Sequence, residues 1–421
     1  MKFPWRTYAA LGVGVAVVTM AGCAPAGGGD AGASPGGDVK IEFQTGLGTD
    51  DPTLKVLTTI TKACAPDGVD VALVPMTNTY EADMKVRLAS GDVPDIWSTH
   101  GWSLLRYSEF LEPLDTQPWA KNFNPALDAA MMNDAGQFFA LPINTDVAGI
   151  VYNKTVLEDA GIDVKTLTTW EAFGDAAATL KAAGVTPISA SSKDSWFAGN
   201  VADFGASGAY TPEELETLRA GTFATDGYAA LLGEIETWAK AGYFNADFTS
   251  ATMDDLARAL GSGDTGFIFV QNYLVASALG FNPDAQLGYF PIPGFVTDPY
   301  LIGGEGTAYG VSKTSKNKDA ALAYIDCLAE PSHIGTLAGA IGGIPGLTNA
   351  TSDLGALQDS YDEFVADGNF RLEPYFDRVY LPNGMWDTMV TTTAAVITGQ
   401  SDVPAATSQM EQQFNALFGQ E

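Results

Sequence analysis

The chain has 421 residues, with 21 Lys and Arg against 51 Asp and Glu and a formal net charge of −30. Such acidity excludes nucleic acid as a partner and disfavours anionic membrane surfaces and phosphate-rich ligands, because long-range repulsion slows their approach. At 46% hydrophobic and 11% aromatic the chain can bury a large core, its length suits two or three domains, and disorder is excluded for most of it.

At the N-terminus, Lys2 and Arg6 precede an apolar run from about Ala9 to Ala21, and small residues lead to Cys23. This is the pattern of an export signal. The run is about 13 residues, short of the ~20 that a spanning helix needs, and no later stretch is long enough, so the mature protein is expected to be soluble. Removing residues 1–22 takes away Lys2 and Arg6 and no acid, giving 19 − 51 = −32. Met20-Ala21-Gly22-Cys23 resembles the bacterial lipobox, in which the signal is cut before a cysteine that carries a thioether-linked diacylglycerol, although Met20 stands where that motif usually has Leu. The resemblance implies an anchor at Cys23, since two acyl chains hold stably where one is marginal. The alternative is an ordinary cleaved signal with an incidental cysteine. Residues 24–37 are Gly, Ala, Pro and Ser with a single Asp30, a flexible tether of the kind a lipid-hung domain needs.

Past the tether, strand-like and helix-like segments alternate, the pattern of an α/β protein with parallel sheets flanked by helices. Val39, Ile41 and Phe43 alternate as a first strand. A helix over Pro52 to Ala65 follows, capped by Asp51, then a strand over Val69 to Val74, a helix over Tyr80 to Ser90 and a short strand around Ile96. Thr168 to Glu171 and Thr211 to Glu214 each read as a capping box, the second with Pro212 in the first helical position. Tyr228, Leu231, Ile235 and Trp238 form an apolar stripe, Thr265 to Val270 reads as a buried strand, and Pro404 to Phe418 as a closing amphipathic helix. The two cysteines left after processing, Cys64 and Cys327, lie on apolar helical stripes, with Leu54, Leu57 and Ile60 and with Ala320, Tyr324 and Leu328 respectively. An even pair in an exported chain permits one disulfide, the alternative being two buried free thiols in separate places.

Enzyme signatures fail on context. Gly32-Ala33-Ser34-Pro35-Gly36 fits a nucleophile elbow but lies in the tether, where no strand-to-helix turn can strain the serine. Gly261 to Gly266 fits a dinucleotide fingerprint, yet it follows a helix and precedes a strand, the reverse of the order that aims a helix N-terminus at phosphate. It reads as a helix stop. With His100 and His333 alone, and no Gly-Lys dipeptide, zincin and P-loop chemistry are absent, and no metal or cofactor is expected.

The remaining signal is a set of aromatic and polar clusters at strand ends: Asp95 to Trp102, Pro142 to Asp146, and Ser195-Trp196-Phe197. Ligands of open α/β sheets bind beyond the carboxyl ends of strands. Flat rings beside carboxylates and amides suit sugars, whose C–H faces stack and whose hydroxyls need paired donors and acceptors.

Five stretches in order carry a resemblance: Gly91 to Ile96, Ala140-Leu141-Pro142 through Asn153, Lys240 to Asn245, Phe267 to Tyr273, and Gly303 to Lys313. With them the chain resembles the solute-binding lipoproteins of carbohydrate ABC importers, the maltose-binding-like class. The resemblance implies a two-lobed periplasmic-binding-protein-like fold, each lobe a mostly parallel sheet flanked by helices, joined by hinge strands. The lobes are expected at 38–143 with 304–345 and at 144–303 with 346–421, with crossings near Asn144, near Pro291 to Gly303 and near Pro345. Family binding positions carried onto this chain give His100 and Trp102 after the Pro-Asp-Ile strand, Asn144 and Asp146 after Leu141-Pro142, and Asp194 with Trp196 as the second lobe's platform. They also give Gln271-Asn272-Tyr273, where Tyr273 replaces the family's usual Trp, then Gly304 and Glu305, and Trp386 after Pro382-Asn383-Gly384.

The implied function is a non-catalytic, monomeric receptor on the outer face of the membrane. It captures a sugar or short oligosaccharide by hinge closure and delivers it to an ABC importer permease. A cationic solute such as a polyamine could use the same rings with Asp146, Asp194 and Glu305. A secreted glycoside hydrolase would need two opposed carboxyl groups, one with a raised pKa.

Overall fold

The computed structural model describes residues 39–77, 79–100, 104–366 and 371–419. The export signal, the tether, Cys23 and Trp102 lie outside the described residues, as do the side chains of His100 and Glu305. Among the described residues no helix is long and apolar enough to cross a membrane.

The apolar alternation of Val39–Gln44 buries Ile41 and Phe43 on one face, as the two-residue period of a strand requires. This strand pairs in parallel with Val69–Val74 on one side and with Ile96–His100 on the other. Thr307–Val311 joins Ile96–His100 antiparallel, and Leu141–Pro142 completes the sheet. Helix Pro52–Cys64 connects the first two strands; the Asp51 side chain accepts the Thr53 N–H, and Pro52 occupies the first turn, where its missing N–H costs nothing. Cys64 at its end is disulfide-bonded to Cys327 of helix Lys318–Leu328. Nδ1 of His333 lies 3.3 Å from the Cys64 sulfur and donates to the Cys327 carbonyl at 2.8 Å.

A second sheet runs in the order Thr186–Ile188, Thr265–Phe269, Ile150–Asn153, Leu287–Phe290. Its first pair is parallel, and Ile150–Asn153 is antiparallel to both neighbours. Each of these sheets therefore holds one reversed strand, Thr307–Val311 in the first and Ile150–Asn153 in the second. Both follow directly on strands of a small third sheet, ordered Ile344–Pro345, Asn144–Ala148, Leu301–Glu305, Leu372–Glu373. Its central pair is antiparallel, with Gly304 opposite Asp146. The chain thus leaves this connecting sheet and enters each larger sheet at the end where the other strands finish, which is why the entering strand runs backwards. The carboxyl ends of Ile96–His100, Thr265–Phe269 and Leu287–Phe290 all point toward the connector.

Local signals in the chain behave as elementary helix chemistry dictates, with one displacement. Thr211 and Glu214 exchange both capping-box bonds, and Pro212 opens the helix. Ahead of Trp170–Ala182 the cap is Thr169, not Thr168, because its hydroxyl is the one three residues from the Ala172 N–H that it satisfies. Gly263, at φ 82°, ends helix Met253–Ser262 just before strand Thr265–Phe269, so the glycine-rich Gly261 to Gly266 segment is a helix stop. Tyr228, Leu231, Ile235 and Trp238 are all buried, and the Trp238 ring lies 5.2 Å from that of Phe173, which in turn meets Phe267 at 4.9 Å. The first sheet's core is built similarly around Phe43, Tyr309 and Tyr324.

Candidate ligand-binding site

Helix Trp196–Ala206 organises the site. The loop that launches it is fixed by the buried Ser191, whose hydroxyl donates to the Ala251 carbonyl at 2.7 Å and accepts the Lys193 and Asp194 N–H groups. Trp196, Gly199, Asn200 and Asp203 recur at i, i+3, i+4 and i+7 and share one face of the helix. Each meets a different element there. The Trp196 ring lies 5.8 Å from that of Tyr273. A side chain on Gly199 would come within 2.7 Å of the Trp386 ring, so that ring lies across the bare turn. Asn200 donates its amide N–H to Gln271 at 3.1 Å. Asp203 accepts the Asp377 backbone N–H at 2.9 Å.

The connector supplies the other side. Asp146 accepts the Tyr375 hydroxyl at 2.8 Å with one oxygen and the Asn144 amide at 3.0 Å with the other. The Tyr375 ring covers Gly304, where a Cβ would stand 2.7 Å away, and the Arg378 guanidinium sits 3.9 Å above the centre of the same ring. Burial, and then the charge of Asp146, push the Tyr273 phenol well above its ordinary value. Tyr273 is therefore a neutral hydroxyl beside a carboxylate. Aromatic faces, amides, carboxylates and a guanidinium thus meet in one region, each polar group oriented by a neighbour. Such a set can stack on C–H faces and pair with hydroxyls.

Of the contacts expected from sequence, Asp146, Trp196, Gln271, Tyr273 and Trp386 come together here. Others are engaged elsewhere. Asn144 is 1% exposed, accepts the Thr307 N–H at 2.8 Å while donating to Asp146, and is pressed by Gly306 and Gly343, where any Cβ would collide with its amide. Asn272, 5% exposed, donates to the carbonyls of Val147 and Gly342 and so ties the start of helix Tyr273–Phe281 to the connector. Asp194 accepts the Met253 N–H at 2.6 Å and caps the first turn of helix Met253–Ser262. Gly304 is roofed by Tyr375. The His100 backbone pairs with Thr307, beside Asn144; its side chain, the Glu305 side chain and Trp102 are outside the described residues. Asn200, Asp203, Tyr375 and Arg378 were not anticipated. The spacing of Asn200 and Asp203 from Trp196 carried a readable signal, whereas Tyr375 and Arg378 arrive from a distant segment with no motif.

A cavity of about 780 Å³ lies at a different place, between helices Tyr273–Phe281 and Pro331–Ile341 and residues 349–357. Of the expected contacts it touches Asn272 alone. Its walls lack the paired aromatic and charged groups described above, which therefore mark the better ligand site. Among the described residues the potential metal-ligating cluster is Cys64, Cys327 and His333, in which the two sulfurs are bonded to each other.

Comparison with known proteins agrees with this architecture. The family profile of the bacterial extracellular solute-binding proteins matches residues 64–333. The melibiose/raffinose/stachyose-binding protein MelE of Bacillus subtilis (strain 168) is 31% identical over 332 residues, which cover 75% of this chain and 74% of MelE. A sugar transporter from Bacillus licheniformis, solved in complex with stachyose, superposes with a TM-score of 0.78 at 28% identity, covering 90% of this chain and 100% of that one. A binding protein of Bacillus subtilis in an open conformation gives the same TM-score at 27% identity, with 90% and 98% covered.

Proposed function

Because this chain belongs to the bacterial extracellular solute-binding proteins, a family of binding proteins that acts outside the cytoplasm, we propose that it captures galactose-capped oligosaccharides of the melibiose, raffinose and stachyose kind for an ABC importer. One lobe is built on the sheet of Val39–Gln44, the other on that of Thr265–Phe269, and the connecting strands serve as the hinge. Closure brings the lobes onto the sugar and removes water from its hydroxyls, which strengthens their hydrogen bonds, while Trp196, Tyr273 and Trp386 cover its C–H faces. Asp146 and Gln271 supply acceptors and donors, Gln271 being held by the buried Asn200. Asn144, Asn272 and Asp194 act behind them as braces. The closed protein then docks on a permease and releases the sugar unchanged, working as a monomer. Cys23 carries a diacylglycerol after removal of residues 1–22, and residues 24–37 are the tether.

The observation that carries this reading is the convergence of Trp196, Tyr273, Trp386 and the Asn200–Gln271 pair on one helix face next to Asp146. A cationic ligand loses its support: the relative matched over three quarters of the chain is a sugar-binding protein, and Arg378 puts a positive charge against Tyr375 beside Asp146. A thermal-shift screen of melibiose, raffinose, stachyose, maltotriose and spermidine tests the reading. A ligand at about 100 times its dissociation constant stabilises by ~2.7 kcal/mol, so raffinose or stachyose should raise the melting temperature and be recovered intact. A shift with spermidine and none with any saccharide refutes the sugar; hydrolysis of the sugar refutes the receptor.

A further inference from the structure

We propose that the short helix Phe376–Val379 forms a second polar wall of the ligand cleft, in which Arg378 contacts sugar hydroxyls and the buried Asp203 is the residue that positions it. The inference rests on the functional reading above. Asp203 is 1% exposed, on a helix whose other buried positions are small or apolar apart from Asn200, whose amide is bonded to Gln271. One of its oxygens accepts the Asp377 N–H, and the other is buried without a hydrogen-bond partner. A carboxyl group in such surroundings is costly, and for packing alone an apolar side chain would serve better.

What the carboxyl does hold is the backbone of Asp377, the second residue of Phe376–Val379. That turn sets three things at once. Tyr375, just before it, bonds Asp146. The Arg378 guanidinium sits over the Tyr375 ring. Asp377 faces Arg378, with Oδ1 3.9 Å from Nε. The groups around Asp203 are Asp377 and Arg378 on this turn, Tyr228 on helix Thr225–Ala241, and Tyr300. Burial, and then the Asp377 charge, push the Asp203 carboxyl well above the usual carboxylate range.

A guanidinium beside a carboxylate presents N–H donors and oxygen acceptors together, the complement of two neighbouring hydroxyls, each of which both gives and takes a hydrogen bond. The contact with the Tyr375 ring restrains the guanidinium before ligand arrives, which lowers the ordering cost of binding. The stack belongs to the same surface as the platform: Gly199 under Trp386, Asn200 bonded to Gln271 and Asp203 behind Arg378 are successive positions on one helix face. The ligand chemistry implied is a neutral pyranose with adjacent free hydroxyls, bound edge-on to Arg378 and Asp377.

Calorimetric titration of raffinose and stachyose into the full exported chain and its variants tests this, beside apo melting of each. Arg378→Ala should weaken binding by roughly 10- to 100-fold with a small change in apo melting, and Arg378→Lys should recover little of it, because an ammonium lacks the planar fork. Asp203→Asn, neutral and of the same shape, should stay within about threefold of wild type, whereas Asp203→Ala should lose about tenfold in the folded fraction. Wild-type binding with an Arg378→Ala affinity within twofold overturns this inference and leaves the functional reading standing. Equal losses for Asp203→Asn and Asp203→Ala overturn the positioning role. A wild-type chain that binds neither sugar overturns the functional reading and this inference with it.

Discussion

Replacing Trp386 by alanine separates a ligand platform from a core residue. The ring is half-buried; its edge and the Val390 side chain both come within 2.8 Å of where a Gly199 Cβ would stand, so one side is packed on that bare turn. A Trp side chain carries ~150–250 Å², so roughly a third of it covered by a sugar is about 50–80 Å². At ~25 cal/mol per Å² that is about 1.3–2 kcal/mol, or roughly 10- to 30-fold in affinity. The packed side contributes separately, and its loss should cost the apo protein about 2–3 kcal/mol. Gly199→Ala provides an independent probe. The added methyl must push the ring outward, so affinity should fall although no ligand-contacting atom has been removed. Calorimetric titration beside apo melting reads both quantities for each variant. An unchanged affinity in the folded fraction of Trp386→Ala, together with a large fall in apo melting temperature, would refute the platform.

Asn144→Ala leaves the Thr307 N–H without its buried acceptor and frees one side of Asp146, so apo stability should fall by about 2–3 kcal/mol, read by chemical denaturation; a fall under about 0.5 kcal/mol would contradict the bracing role. Asp203 has its carboxyl pKa raised by folding, so its contribution is most favourable below the unfolded value of ~3.9 and declines as pH rises from there through the folded value. The melting-temperature advantage of Asp203→Asn over wild type should therefore be absent near pH 3 and grow as pH rises, and a pH-independent difference would contradict a carboxyl pKa raised by folding. Cys23→Ser should send the protein into the medium, because no thioether can form, and membrane fractionation with unchanged retention would exclude this anchor.

The sequence was most informative where the governing physics is local. The Thr211–Glu214 box, the Pro52 and Pro212 helix starts, the stripe Tyr228 to Trp238 and the Gly263 stop involve residues within one or two turns of each other. The one-residue displacement at Thr169 is of the same local kind, since two adjacent threonines compete for a single cap. The reversed strands are another matter. Ile150–Asn153 takes its direction from partners at Phe267 and Leu287, and no residue in it records the direction from which the chain arrives. The site divides in the same way. Trp196 was recognisable as a ring at a polar helix start, while the employment of Asp194 as a cap for Met253 and of Asn144 as a clasp on Thr307 depends on contacts 59 and 163 residues away. Polar residues near a strand end look alike in sequence whether they meet a ligand or a backbone N–H.

Capture by closure can be read by small-angle scattering of the full exported chain with and without saturating raffinose. With sugar the particle should be more compact, by a radius-of-gyration decrease on the order of 1 Å, as two lobes swing together on the strands Asn144–Ala148 and Leu301–Glu305. A radius that stays the same while calorimetry reports saturated binding would contradict it.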